Sequence, residues 1–215
     1  MSKKSRIILF DLDGTLIDST EAILYSFRRS HELMGTRPPA DEEIKSLVGH
    51  PLGEMFEATG VEREKVESYV GAYRECYSGV HTRMTRLLPG VKEALHRAAE
   101  DARLAVVTTK TGKYSLELLE HFSIAELFET LVGSEDVSRH KPHPEPLLKA
   151  LSQMGFSSEK CYMVGDRCMD MLAASAAGVE GVGVDWGYAH ENELSSCASF
   201  VCKSVNEAVT LILGS

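Results

Sequence analysis

The sequence predicts an α/β protein with a Rossmann-like, doubly wound parallel sheet and an inserted domain of α-helices. Short apolar runs rich in valine and isoleucine recur without strict alternation, which is typical of parallel strands covered on both faces. Helical patterns separate several of these runs, and residues 18–86 contain helical patterns without a convincing strand. Strands that alternate with helices indicate βαβ units, and the long helical stretch indicates an insertion.

The core is predicted from six apolar runs and four amphipathic segments. The runs that predict strands are residues 6–10, 104–108, 130–132, 161–164 and 181–184, with residues 198–202 as a candidate sixth strand. The segments that predict helices are residues 91–100, 144–154, 171–177 and 205–213. The helix at 144–154 begins among prolines and stops at Gly155, which is the usual asymmetry between the start and the end of a helix.

The inserted segment predicts four further helices. Their ranges are residues 20–34, 41–48, 52–59 and 62–77. In the last of them, apolar residues at spacings of three and four include Tyr69, Tyr73 and Tyr77, and this stripe predicts packing between helices rather than a cofactor site. We therefore expect a core made of residues 1–17 and 86–215, and a helical cap made of residues 18–85.

Composition and charge exclude several classes of protein. The 215 residues are 43% hydrophobic and 26% charged, as in an ordinary globular protein. Acidic residues outnumber basic ones by 32 to 23, so we expect no nucleic acid partner. No apolar run approaches the roughly 18–20 residues of a membrane span, and the apolar stretch behind the basic N-terminus ends at Asp11, too early for a signal peptide. We expect a cytoplasmic monomer or homodimer that does not bind membranes.

The cysteines predict neither a zinc site nor a disulfide framework. There are five of them, an odd number, and no Cys-x-x-Cys pair occurs. Free cysteine packs as a small hydrophobic residue. We therefore expect five buried or half-buried thiols.

Polar residues follow the predicted strands, where ligands bind in open α/β sheets. They comprise the four carboxylates of Asp11, Asp13, Asp166 and Asp170, the hydroxyl of Thr108 and the ammonium group of Lys141. Clustered carboxylates repel one another unless a cation lies among them, and oxygen ligands suit Mg²⁺. A carboxylate can also attack phosphorus to give an aspartyl-phosphate, while the hydroxyl and ammonium groups are suited to binding a phosphoryl group. The cluster therefore predicts phosphoryl transfer.

These segments resemble the four sequence motifs of the haloacid dehalogenase superfamily. Residues 11–15, Asp-Leu-Asp-Gly-Thr, look like the first motif, and residues 106–110 look like the second. Lys141 and Pro142 resemble the third motif, and residues 165–170 resemble the fourth. The match is in order over residues 6–183. It is most similar to the phosphoglycolate phosphatase-like group, whose helical cap follows the first motif.

The resemblance implies catalytic and phosphate-binding roles. Asp11 would attack phosphorus and become the phospho-aspartate. Asp13 would protonate the leaving oxygen and then activate water for the second step. Thr108 and Lys141 would bind the phosphoryl oxygens, with help from the backbone of Thr109. The group more often has asparagine at the position of Thr109.

The resemblance also implies a Mg²⁺ site. The metal would be held by the Asp11 side chain, the Asp13 backbone carbonyl and Asp166. Asp170 would bind either a metal-bound water or the ammonium group of Lys141.

We expect a small phosphorylated metabolite as substrate, with 2-phosphoglycolate the first compound to test. Asp13 favours phosphoryl transfer over dehalogenation, because only a leaving oxygen needs a proton. The cap region offers basic candidates for contacting a carboxylate: Arg28, Arg29, His50 and either Arg83 or Arg86. An inorganic pyrophosphatase and a broad-range sugar or nucleotide phosphatase are the alternatives. A catalytically idle protein that binds a phosphorylated ligand would not need both Asp11 and Asp13.

Overall fold

A six-stranded parallel sheet forms the core of the computed structural model, which describes residues 4–186 and 194–214. The strands in chain order are β1 (Arg6–Phe10), β2 (Ile17–Asp18), β3 (Arg86–Leu87), β4 (Ala102–Val107), β5 (Thr130–Val132), β6 (Lys160–Gly165), β7 (Glu180–Val184) and β8 (Phe200–Cys202). The sheet order is β5-β4-β1-β6-β7-β8, and its neighbouring strands are parallel. This arrangement confirms the α/β fold and all six predicted strands.

Core helices cover both faces of this sheet, and four further helices form the inserted segment. In chain order they are α1 (Thr20–Leu33), α2 (Asp41–Ser46), α3 (Leu52–Ala58), α4 (Val66–Ser78), α5 (Val91–Asp101), α6 (Gly112–His121), α7 (Glu145–Gln153), α8 (Cys168–Ala177) and α9 (Val205–Gly214). Apolar residues of α5, α6 and α9 pack on one face, and those of α7 and α8 pack on the other. Within residues 4–186 and 194–214, no helix has the length and apolar character needed to cross a membrane.

The central strand β1 shows why the buried positions of the core strands are apolar. Ile8 and Phe10 pack into the cluster on one face, whereas Ile7 and Leu9 pack into the cluster on the other. All four side chains are fully buried. Successive residues of a strand point to opposite faces, so a strand covered on both sides needs apolar residues at every position. The strand ends at Phe10, so the next residue, Asp11, lies at the carboxyl edge of the sheet.

The structure adds features that the sequence pattern does not predict. Helix α6 was not predicted, because it buries only Ser115, Leu118 and Leu119 and so has a narrow apolar stripe. Helix α8 begins three residues earlier than predicted, where the Asp170 carboxylate accepts the backbone N–H of Arg167 at 3.1 Å. Side-chain acceptors at a helix start satisfy N–H groups that have no partner within the helix.

The inserted helices α1–α4, called the cap below, form their own hydrophobic cluster. Phe27 and Phe56 stack with ring centroids 4.2 Å apart, and Tyr73 meets Phe27 edge-on at 6.2 Å. The tyrosines Tyr69, Tyr73 and Tyr77 are all buried. Stacked and edge-on pairs add to the free energy of aromatic burial. The aromatic stripe therefore serves helix packing, as predicted.

A short antiparallel ribbon connects the cap to the core. Strands β2 and β3 pair through Ile17 with Leu87 and through Asp18 with Arg86. The Arg86 guanidinium also lies 3.2 Å from the Asp18 carboxylate. Each strand has two residues, too few to produce a recognisable alternation in the sequence. The two segments in which the chain passes between core and cap therefore lie side by side.

The prediction of free thiols is wrong for two of the five cysteines. Cys168 and Cys197 form a disulfide, whereas Cys76, Cys161 and Cys202 are free thiols. The partners are 29 residues apart in sequence and have Cα atoms 5.8 Å apart. Helix α8 and the connection after β7 meet only in the folded chain, so residue spacing could not identify the pair.

Loss of this disulfide is expected to destabilise the fold. The double variant Cys168→Ser/Cys197→Ser should lose about 3–4 kcal/mol of unfolding free energy, because an open chain has more conformational freedom when unfolded. That loss corresponds to a fall of about 10 °C in Tm. Thermal unfolding measured with and without a reductant tests this, with Cys76→Ser as the control. Identical melting of the wild-type protein in both conditions would contradict the disulfide.

Candidate active site

The loop after β1 places two aspartates at the carboxyl edge of the sheet. Asp11 continues the strand, since its backbone N–H donates to the carbonyl of Val164 at 2.9 Å. Asp13 follows in a turn in which Gly14 has a φ of 81°. This left-handed conformation favours glycine, which has no Cβ to clash with the backbone. The side chains of both aspartates are largely buried, with residue exposures of 3% and 8%.

Lys141 lies between two carboxylates. Its Nζ is 2.9 Å from Asp11 Oδ1 and 2.6 Å from Asp170 Oδ1, and it donates to the carbonyl of Val107 at 3.1 Å. Burial disfavours the charged amine, but the two carboxylates outweigh burial and raise the pKa of Lys141 above its usual value. Lys141 therefore supplies a permanent positive charge beside Asp11.

Burial dominates the ionisation of Asp11. It raises the pKa of this carboxyl to about 6, with Lys141 opposing the shift and Asp170 adding to it. The carboxylate form still predominates at neutral pH. Asp11 is therefore a buried anion in its nucleophilic form, adjacent to a cation that can bind a phosphoryl oxygen.

A third and a fourth carboxylate complete the acidic cluster. Asp166 accepts a hydrogen bond from the Thr15 hydroxyl at 2.9 Å. Carboxylate oxygens of Asp11, Asp166 and Asp170 lie within 4.8 Å of one another, and all three residues are buried. Gly165 makes this packing possible, because a Cβ there would lie 2.5 Å from the Asp170 carboxylate carbon.

The chemistry of this cluster fits Mg²⁺. Three buried carboxylates outnumber the ammonium group of Lys141 that lies among them. Buried anions need a compensating charge, and a set of oxygen ligands suits a small hard cation. Asp11 and Asp166 are the side chains that would hold the metal. Asp170 contacts Lys141, which favours the second of the two roles predicted for it.

The hydroxyl groups of the two threonines after β4 have different hydrogen-bond partners. Thr108 is buried, and its backbone N–H donates to the carbonyl of Val132 at 3.0 Å. The hydroxyl of Thr108 accepts the backbone N–H of Lys110 at 3.1 Å. The hydroxyl of Thr109 instead donates to the carbonyl of Gly49 in a cap loop at 2.7 Å. Thr109 therefore links the core to the cap through its side chain.

Asp13 contacts a lysine to which the sequence analysis assigned no role. Lys110 Nζ lies 3.1 Å from Asp13 Oδ2, and the Ser19 hydroxyl donates to Asp13 Oδ1. Burial disfavours the charge on Lys110, yet Asp13 and Tyr77 keep its pKa well above its usual value. One sequence feature could have indicated a functional role for Lys110: it lies in the second motif, directly after the two threonines at the end of a strand.

A cavity of about 310 Å³ extends from Asp13 and Lys110 to the cap. Of the basic cap residues predicted to contact a substrate, only His50 is among the described residues that line this cavity. The prediction is wrong for the others, which do not line the cavity. Arg28 pairs with Asp41, Arg29 with Glu32 and Arg86 with Asp18. Arg83 is exposed and lies outside the lining. Arg74 lines the cavity but was not predicted.

The fold and the site together define an α/β enzyme whose reactive groups lie at the carboxyl ends of parallel strands, beneath a helical cap. The sequence profile of the haloacid dehalogenase-like hydrolases matches residues 8–184, and the chain belongs to this family. The match confirms the resemblance inferred from the four motifs.

Three similar proteins come from different bacteria. Pyrophosphatase PpaX of Halalkalibacterium halodurans is 35% identical, with 86% of this chain and 85% of the relative covered. Phosphoglycolate phosphatase of Nitrosococcus oceani is 29% identical over 88% of each chain. The structure of protein tyrosine kinase A of Mycobacterium tuberculosis superimposes with a TM-score of 0.82, at 32% identity over 98% of this chain and 99% of that one. Family and fold define this chain as a haloacid dehalogenase-like hydrolase, and two of these three relatives are named as phosphatases.

Proposed function

We propose that the protein hydrolyses small phosphate monoesters with Mg²⁺, through a phospho-aspartate at Asp11. The observation that carries the proposal is the position of this buried carboxylate. It lies 2.9 Å from Lys141 Nζ and belongs to the acidic cluster with Asp166 and Asp170. A nucleophile, a cation for the phosphoryl oxygens and a set of metal ligands are thus combined in one place.

The first step transfers the phosphoryl group to the protein. An Asp11 carboxylate oxygen forms a bond to phosphorus as the bond to the leaving oxygen breaks. Asp13 donates a proton to that oxygen, and the alcohol departs. Lys141 and Thr108 bind the phosphoryl oxygens. Asp11, Asp166 and the Asp13 backbone carbonyl would hold Mg²⁺, which would supply positive charge to neutralise the phosphoryl group.

The second step restores the enzyme. Asp13, now a carboxylate, takes a proton from water, and the water oxygen bonds to phosphorus. The bond between phosphorus and Asp11 breaks, which regenerates the carboxylate and releases inorganic phosphate. The cap covers the site and would exclude bulk water from these reactive groups.

The cavity beneath the cap is the space available to the alcohol portion of the substrate. A volume of about 310 Å³ accommodates the alcohol portion of a metabolite such as 2-phosphoglycolate. His50, which was predicted, and Arg74, which was not, line this space and are candidates for binding the substrate's polar groups. A cytoplasmic location, a monomeric or homodimeric state and the absence of nucleic acid and membrane partners remain predictions.

Inorganic pyrophosphate is the second candidate substrate. The similarity to pyrophosphatase PpaX over 86% of this chain favours it. The same two steps would serve, with phosphate in place of an alcohol as the leaving group.

A panel of phosphate compounds tests the proposed function. We expect Mg²⁺-dependent release of phosphate from p-nitrophenyl phosphate and from 2-phosphoglycolate, and EDTA should abolish it. The ratio of kcat/KM between 2-phosphoglycolate, pyrophosphate and a nucleoside monophosphate then identifies the substrate class. A tenfold preference for pyrophosphate would overturn the monoester assignment, and a tenfold preference for the nucleotide, itself a monoester, would overturn the assignment of a phosphoglycolate-like substrate. No phosphate release from any compound would indicate a protein that only binds a phosphorylated ligand.

A further inference from the structure

Lys110 occupies a position that the two-step reaction does not yet explain. Its side chain is only 9% exposed, although it carries a charge. The ammonium group contacts Asp13 at 3.1 Å and lies 4.7 Å from the centre of the Tyr77 ring, which belongs to the cap. A cation over an aromatic face is stabilised by the ring's negative face. Lys110 is therefore held between the proposed general acid and the cap.

The position of Asp13 determines what else Lys110 can reach. A leaving oxygen must come within hydrogen-bond distance of Asp13, about 2.6–3.2 Å, to receive its proton. Asp13 and Lys110 both line the cavity beneath the cap, where the leaving group must lie. Substituents one or two bonds beyond the leaving oxygen therefore come within reach of Lys110 Nζ. A negative charge on such a substituent would gain a charge-assisted hydrogen bond.

The other basic residues around the cavity are less suited to this contact. Arg74 is exposed to solvent, and His140 is half-buried. His50 is half-buried in a cap loop, with its ring 3.9 Å from Glu54. Water weakens the attraction between exposed charges. Among the described residues of the lining, Lys110 combines burial, a permanent charge and contact with Asp13.

We propose that Lys110 binds an anionic group on the leaving group and thereby selects phosphate compounds whose leaving group is charged. This inference rests on the proposed function. The carboxylate of 2-phosphoglycolate and the second phosphate of pyrophosphate share the required chemistry. Lys110 is thus a specificity-determining residue in addition to holding Asp13 in place.

A pair of nearly isosteric substrates isolates the charge. The first is 2-phosphoglycolate, and the second is its carboxamide, in which a neutral amide replaces the carboxylate. For the wild-type protein we expect kcat/KM for the carboxylate to exceed that for the amide at least about tenfold. Lys110→Met should remove this preference, and Lys110→Arg should retain part of it. Lys113→Met is the matched control, because Lys113 is an exposed lysine three residues further along the chain.

The outcomes separate specificity from a purely structural role. If Lys110 only supports Asp13, Lys110→Met will reduce turnover of the carboxylate and the amide by the same factor, which overturns the inference. A wild-type protein that does not distinguish the two substrates overturns it without any variant. In either case, hydrolysis of the amide and of p-nitrophenyl phosphate would still support the proposed phosphatase function. Pyrophosphate, measured in the same variants, shows which anionic leaving group depends more on Lys110.

Discussion

Replacing Asp11 with asparagine is expected to abolish steady-state phosphate release. Asparagine keeps the size of the side chain but provides no carboxylate to form the phospho-aspartate. Removing the covalent step should cost several kcal/mol of transition-state stabilisation, so residual activity should stay below about 1% of wild type. Phosphate release from p-nitrophenyl phosphate measures this. Asp101→Asn, which changes an exposed aspartate at the end of α5, is the control.

The same substitution should leave the fold intact and at least as stable. Burial raises the pKa of Asp11 from 3.8 to about 6. The folded state therefore binds this proton more tightly than the unfolded state, so ionising Asp11 lowers stability as the pH rises from about 4 to 6. Asparagine carries no charge and avoids this cost at pH 7. A Tm equal to or above that of wild type, together with lost activity, is the expected result. Activity above about 1% would exclude Asp11 as the nucleophile.

Replacing Asp13 with asparagine is expected to reduce turnover by about 10²–10⁴-fold, the usual contribution of general acid–base catalysis. The loss should depend on the leaving group. An alkyl phosphate releases a strongly basic oxygen and needs the proton from Asp13. p-Nitrophenyl phosphate releases a stable anion and needs it much less.

Comparison of these two substrates in one variant measures the role of Asp13. The alkyl phosphate should suffer the larger loss in kcat, and Asp101→Asn should again leave both substrates unchanged. Equal losses would show that Asp13 does not act as the acid. In that case its contacts with Ser19 and Lys110 would point to a role in organising the loop.

The strands could be predicted because the physical signal for them is local. Parallel strands buried on both faces must be apolar along their length, and residues 6–10 and 161–164 show this directly. The site residues were identifiable for a related reason. Carboxyl ends of parallel strands meet at one edge of a sheet, so Asp11, Lys141 and Asp166 were expected to come together there.

Contacts between distant segments could not be predicted in this way. Helix α6 has too narrow an apolar stripe to show a clear period, although it packs on the sheet. The cap arginines were misassigned because their sequence positions do not reveal that Asp41 or Asp18 neutralises them. Spacing alone likewise gave no sign that Cys168 and Cys197 pair.

The sequence by itself determined the six strands of the main sheet, the class of fold and the family, because each depends on local periodicity or on motifs in order. Only the tertiary structure decided which charges face the substrate. Lys110 reaches Asp13 across 97 positions of sequence, and Tyr77 of the cap packs against it. The first contact joins loops that follow two neighbouring core strands, and the second forms where the cap packs over the sheet edge. Their strength depends on distance and burial, and neither quantity can be read from the spacing of residues along the chain.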